Sequence, residues 1–250
     1  MLKRIATVLD ERNSAMFKDF TKAIRQLNDP VFRRILIRSA LAAMGVFLAL
    51  IVAIFGGLTF FQATDIGWLN TALSILGAFL AVYIAFLLFP AAVAFIVGFY
   101  VEDAAAAVET KDYPYLPASR PISWIESLGS TAKLAVVALA LNIVVLPIYL
   151  ILLFFPPLSL GLFYVLNGYL LGREYFDLVA SRHLKPGHVE SLRKKHSFAI
   201  QRAGTLIALL FSIPFVNLAA PLLGAAAMVH LFHRLNETRV VATGVVAVER

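Results

Sequence analysis

IGWLNTALSILGAFLAVYIAFLLFPAAVAFIVGFYV, residues 66–101, runs for 36 residues without one Asp, Glu, Lys or Arg. LAVVALALNIVVLPIYLILLFFPPLSLGLFYVLNGYLLG, residues 134–172, extends the same property over 39. A helix at the surface of a water-soluble domain keeps a polar stripe toward solvent. These runs have none, and only a hydrocarbon solvent favours helices that are apolar all round. Two more apolar runs, Ile35 to Phe61 with Arg38 alone inside it and Ala203 to Val229, complete the pattern. The chain reads as an all-α integral membrane protein.

Composition agrees. The 250 residues are 60% hydrophobic with a mean hydropathy of +0.83, against roughly 45–50% apolar content in globular domains. The net charge is +7, yet a nucleic-acid partner is not expected, because the basic residues flank apolar runs. Membrane lipids with anionic headgroups, or an anionic solute, fit that placement better. With no cysteine, disulfides, thiolate catalysis and thiolate metal sites are absent. The first 34 residues carry eight basic and four acidic side chains and no apolar core, so no cleavable signal peptide is expected.

Along the chain, residues 1–29 suggest an amphipathic helix lying at the membrane interface. Met16, Phe17, Phe20, Ile24 and Leu27 recur at helical spacing, with Lys18, Lys22 and Arg25 on the other face. Asn28-Asp29-Pro30 is a helix start: an Asn or Asp side chain caps free N–H groups, and proline at the first helical position needs no N–H partner. A long helix over about 31–61 follows, then a turn near Gly56-Gly57 and residues 62–68, with Trp68 as an interfacial anchor. A second long helix starts near Leu69. Unbroken to Val101 it would measure roughly 50 Å, so it either tilts and projects into water or bends at Pro90. The alanine-rich, acidic segment Glu102 to Asp112 continues it, and Tyr113-Pro114-Tyr115-Leu116-Pro117 with Arg120-Pro121 forms a loop.

Proline divides the later runs. Pro147 and Pro156-Pro157 are expected to cut 134–172 into pieces of marginal spanning length. Pro214 and Pro221 are expected to leave arms of about a dozen residues, roughly 18 Å each, too short to cross. The expected fold is therefore two long transmembrane helices, two partially inserted helical hairpins and the N-terminal interfacial helix. Residues 1–235 form a single membrane domain and 236–250 a poorly ordered tail. Lys and Arg number nine in residues 1–38, none in 62–68, three in 111–133, seven in 173–202 and three in 234–250. If only the first two long helices span, or if 134–172 spans twice, all basic segments share one side, and the positive-inside rule places both termini in the cytoplasm.

Arg33 and Arg34 follow the cap at a helix N-terminus, where free N–H groups, the helix dipole and two guanidinium groups suit an oxyanion. Positive-inside anchoring accounts for the same residues, and the Asp29 carboxylate competes for the anion's place. Lys133, Arg173, Glu174 and Asn217 are candidate pore or entrance residues. The alternatives are a snorkelling anchor for Lys133, an interfacial ion pair for Arg173 with Glu174, and helix-to-helix glue for Asn70, Asn142, Asn167 and Asn217. Gly168 and Gly172 have the small-xxx-small spacing that permits close helix contact. His230 and His233 share a helix face without a carboxylate at useful spacing, and His183, His188 and His196 sit in a basic loop without a ligand pattern. Glu102, Asp103, Glu109 and Asp112 lack the carboxylate–histidine arrangement of di-metal bundles. No metal, cofactor or catalytic apparatus is read from the sequence.

Three segments carry a resemblance: Asn28-Asp29-Pro30-Val31-Phe32-Arg33-Arg34, Gly172-Arg173-Glu174-Tyr175-Phe176-Asp177, and Ile213-Pro214-Phe215-Val216-Asn217-Leu218. In order and spacing they resemble the CysZ sulfate permease family over about residues 14–235. The resemblance implies long membrane helices with half-inserted hairpins and sulfate uptake across a bacterial inner membrane for cysteine synthesis. It also implies sulfate capture where a Gly-apolar-Arg-Arg stretch opens the first long helix. Val31, Phe32, Arg33 and Arg34 match that stretch, with Val31 in the glycine's place. A homo-oligomer is expected, since a partner shields polar hairpin turns at membrane depth. The reading from another class is a non-transporting membrane scaffold or assembly protein of the same fold, using Arg193-Lys194-Lys195-His196 to bind lipid or protein.

Overall fold

The computed structural model describes residues 2–59, 67–115, 119–213 and 216–243; the side chains of 2–13, 55, 57–59, 81, 85–97, 124, 127 and 237–243 lie outside the description. Among the described residues every element is a helix: α1 (Leu2–Arg25), a 3₁₀ turn (Gln26–Asn28), α2 (Pro30–Thr59), α3 (Gly67–Asp112), α4 (Trp124–Leu152), α5 (Pro156–Ser181), α6 (Pro186–Lys195), α7 (Ser197–Ser212) and α8 (Val216–Thr243). Among the described residues four stretches are long and apolar enough to cross a bilayer: Pro30–Ile54, Gly67–Ile84, Leu128–Leu152 and Val216–Asn236. The chain is a multi-pass integral membrane protein.

The cap forms at Asn28-Asp29-Pro30. Asp29 Oδ1 accepts the Val31 N–H at 2.8 Å and the Phe32 N–H at 3.2 Å, and Pro30 is the first helical residue. The α3 helix runs in one piece for 46 residues, roughly 69 Å; the bend considered at Pro90 falls among side chains outside the description. Its alanine-rich end does not simply project into water. Val101, Ala104, Ala105 and Val108 are buried with Met228, Val229 and Phe232 of α8 in one core.

Proline acts more weakly than its count suggests. Pro147 lies inside a continuous 29-residue α4, so the expected cut there does not occur. A proline removes one i→i−4 bond and forces a bend, but the bonds on either side hold the helix together. The chain reverses only at Leu153–Phe155, where Pro156 can start α5 without an N–H partner. Likewise Pro221, six residues into α8, leaves that helix 28 residues long instead of a dozen. Both hairpins exist, α4–α5 and α7–α8, but with longer arms. Only the 16-residue α7, about 24 Å, stays shorter than the roughly 30 Å of hydrocarbon. The expected tail begins as helix: α8 continues to Thr243, and 244–250 lie outside the described residues.

The α5–α7 crossing justifies the glycine spacing. A Cβ on Gly172 would lie 2.5 Å from the Ile200 carbonyl oxygen, one on Gly168 2.9 Å from the Thr205 Cα, and one on Gly204 inside the Gly168–Gly172 backbone. The two helices touch backbone to backbone, and no side chain fits between them. In contrast, no residue of the Leu128–Leu152 span is buried within the protomer. On α1, Met16, Phe20 and Ala23 are buried in the core shared with α8, while Phe17 and Ile24 stay exposed. The amphipathic face thus docks on protein along one edge and leaves two apolar side chains for the bilayer surface.

Candidate functional site

The polar groups gather where α1, the 3₁₀ turn, the α2 start, the α3 end and the middle of α8 meet. At the α2 start Arg33 and Arg34 are exposed, and among the described residues no carboxylate pairs with either. Val31 is exposed at 55%, while the Phe32 side chain is buried at 1%. The cap is occupied from within: one oxygen of Asp29 takes the Val31 and Phe32 N–H groups, and the other accepts from Lys111 Nζ at 2.6 Å. Chiefly through the Lys111 hydrogen bond, with help from the two N–H groups, the Asp29 carboxyl is held below its ordinary value. The competitor anticipated from the sequence sits where an anion would have to bind those N–H groups.

Beside it opens a cavity of about 730 Å³ lined by Lys22, Arg25, Lys111 and Arg234 together with Asp19 and Asp112. Four cations face two carboxylates, so the space is electropositive. Asp19 is fixed by Arg234, and Gln26 donates to Asp112 Oδ2 at 2.6 Å. Sequence reading missed this cavity. Its parts come from α1, α3 and α8, and only the cationic stripe Lys22 and Arg25 hinted at it.

The candidate entrance residues divide. Lys133, Arg173 and Glu174 line one cavity of about 470 Å³ between α4, α5 and α6. Asn217 does not; it is exposed at the start of α8, where its N–H donates to the Ile213 carbonyl at the hairpin turn. The cavity holds Glu102, Glu126, Glu174, Asp177 and Glu190 against Lys133, Arg173 and Arg193. Several of these neutralise each other: Lys133 Nζ lies 2.9 Å from Glu190, and Arg193 Nε 2.9 Å from Asp177. Burial pushes the Asp177 carboxyl up while the two arginines beside it pull the other way. Arg120 and Lys194 reach in to pair with Glu126 and Glu190, so the five carboxylates are matched by five cations and no lining cation is left over for an anion. The Arg173 partner is Asp177 at 3.6 Å, instead of Glu174 as the sequence suggested.

Deeper in the base, Glu109 of α3 accepts two hydrogen bonds from Arg182 on Oε2, at 3.2 and 3.0 Å, and meets His183 Nε2 on Oε1 at 2.8 Å. Burial alone would raise the Glu109 carboxyl; contacts with His183 and His233 and the charge of Arg182 outweigh it and hold the group far below its usual range. His233 Nε2 stands 3.7 Å from the same Oε1. Its neighbour on α8, His230, pairs through Nδ1 with the Tyr113 hydroxyl at 2.9 Å.

The family model described as Sulfate transporter CysZ/Etoposide-induced protein 2.4 matches residues 19–221, and the chain belongs to that family. No curated protein matches it. Membership suggests a sulfate-transporter-like function, and the matched region spans the α2 cap and the whole lining of the α4–α6 cavity, while the electropositive cavity also takes His230 and Arg234 from beyond it.

Proposed function

We propose that this member of the Sulfate transporter CysZ/Etoposide-induced protein 2.4 family is a bacterial inner-membrane permease that takes up sulfate or a related oxyanion, supplying sulfur for cysteine synthesis. The observation that carries the reading is the pair Arg33 and Arg34, exposed without a carboxylate partner among the described residues at the start of a capped, membrane-length helix. An unpaired guanidinium pair at the positive end of a helix dipole is a preorganised acceptor for a doubly charged anion. The backbone N–H groups of Val31 and Phe32 join the site when Asp29 gives way, and Lys111, which also lines the electropositive cavity, passes from Asp29 to the anion.

The basic base lies in the cytoplasm with both termini, following the positive-inside rule. The short α7 arm makes the α7–α8 hairpin dip into the bilayer, and its turn needs shielding. The span of α4, with no residue buried in the protomer, supplies the surface for a homo-oligomer, and the anion's path runs between hairpins and neighbouring protomers. Because the cations lining the α4–α6 cavity are already paired with its carboxylates, Lys133, Arg173 and Glu174 act there as a structural and gating network, and the anion passes elsewhere.

The scaffold reading draws less support. In its basic segment, Arg193 pairs with Asp177 and Lys194 with Glu190, so two of its three formal charges already have a partner. Radiolabelled sulfate uptake into proteoliposomes tests the proposal. The double substitution Arg33→Ala, Arg34→Ala is expected to lower uptake at least about tenfold, the scale of losing one to two charge-assisted contacts. Unchanged uptake by well-folded protein rejects the site. Liposomes impermeable to sulfate with the unmodified protein favour the scaffold.

A further inference from the structure

We infer that Glu109, His183 and His233 form a binding site for a divalent transition cation of the zinc class, tying α3, the segment after α5, and α8 together at the polar base. Among the described residues this is the one group of three metal-ligating side chains whose donor atoms all lie within 4.8 Å of one another. The inference is independent of what the protein transports.

The geometry is close to what an ion requires. Two donors at 2.0–2.1 Å from one ion, separated by the tetrahedral angle, stand roughly 3.3–3.4 Å apart. Here His183 Nε2 and His233 Nε2 lie 2.8 and 3.7 Å from Glu109 Oε1, on either side of that value. Shifts of about half an ångström bring both to that value, and the two histidine donors lie within 4.8 Å of each other. Without an ion the arrangement is incomplete: His233 is only 3% exposed, and its Nε2 is buried with no hydrogen-bond partner. A buried polar nitrogen left unsatisfied costs about 1–3 kcal/mol, and this one is aimed at a carboxylate oxygen just beyond hydrogen-bond reach.

The surroundings hold the three groups in place. Arg182 donates both hydrogen bonds to Oε2, orienting the carboxylate and leaving Oε1 for a single metal bond. Its positive charge weakens cation binding but does not block the lone pair used. The Tyr113 ring lies 4.3 Å from the His233 ring, centroid to centroid, and Phe232 stacks on His183 at 5.7 Å, so neither imidazole is free to turn away. Two imidazole nitrogens and one carboxylate oxygen are a borderline donor set that suits Zn²⁺ over Mg²⁺ or Ca²⁺. Three protein ligands leave a fourth position for water or an anion.

The test uses the full-length protein in detergent, stripped with a chelator and titrated with Zn²⁺ against a chromophoric competitor. One ion per protomer is expected, and Co²⁺ in its place should give the intense ligand-field bands of a four- or five-coordinate site. His183→Gln or His233→Gln should weaken binding by more than about 100-fold, beyond the 10–100-fold typical of losing a group that only hydrogen-bonds to a ligand. His230→Gln, whose Nδ1 faces the Tyr113 hydroxyl, should leave binding unchanged. Failure of the unmodified protein to bind Zn²⁺, or weak six-coordinate Co²⁺ bands alone, overturns the inference whether or not the variants fold. Undiminished binding by the double variant His183→Gln, His233→Gln places the ion on other histidines and also overturns it.

Discussion

Asp29 sits where an anion would bind, and removing its charge is the sharpest probe of the α2 terminus. Its carboxylate caps the Val31 and Phe32 N–H groups and pairs with Lys111. Asp29→Asn keeps a capping oxygen and deletes the charge. For a dianion about 5 Å away in a water-like dielectric, the lost repulsion is about 1.7 kcal/mol. Screening at physiological salt reduces this to about 1 kcal/mol, so the sulfate Kd should fall roughly fivefold. Asp29→Ala also frees both N–H groups. Charge-assisted hydrogen bonds contribute about 1.5–3 kcal/mol each, so Ala should bind at least about tenfold more tightly than Asn, although the lost cap costs about 1 kcal/mol of stability. Equilibrium binding of labelled sulfate to purified protein reads both variants. Acidification should not imitate them. The folded carboxyl is held below its ordinary value of 3.8, so Asp29 stays ionised from about pH 7 to 5, and affinity owed to it stays flat. The stability it contributes is present above the unfolded pKa near 3.8 and is lost as pH falls through the lower folded value. If both variants bind within about twofold of the unmodified protein, the anion does not sit at this terminus.

Two further outcomes follow from packing and charge. Gly204→Ala places a Cβ into the Gly168–Gly172 backbone and should destabilise the protein by at least about 1–3 kcal/mol in thermal melts. Gly45→Ala, with nothing within 4 Å, should be neutral or slightly stabilising. Arg234→Leu leaves the buried Asp19 carboxylate without its guanidinium, a loss of about 3–5 kcal/mol visible as faster hydrogen exchange in α1. Burial raises the Asp19 carboxyl, so this variant should recover stability as pH falls and Asp19 takes up a proton. No recovery in melts at lower pH would contradict that cause.

How much was legible varies by element. The Asp29 cap and the start of α2 at Pro30 are local matters, set by residues within a turn of each other, and both are present, as is the long α3; the spacing of Gly168 and Gly172 was legible, but their partner, α7, is chosen by tertiary packing. The proline reading failed at Pro147 and Pro221 for a definable reason. A proline removes one hydrogen bond, and the bonds around it carry α4 five residues beyond Pro147 and join the five residues before Pro221 to the rest of α8. The pairing of Arg173 with Asp177 in place of Glu174 was likewise a local question, since residues four apart face each other on a helix and adjacent ones do not.

The chain's solvent was decided by sequence alone: runs without charge have no stable place in water, wherever they fold. Tertiary structure alone decided the chemistry of the base. Lys22, Lys111 and Arg234, or Glu109, His183 and His233, are separated by scores of residues, and no periodicity links them. They meet because α8 is apolar enough to be buried and small enough, through Ala225, Ala226 and Ala227, for α1, α3 and α5 to close around it. Buried charges must then find partners across helices, since water no longer reaches them.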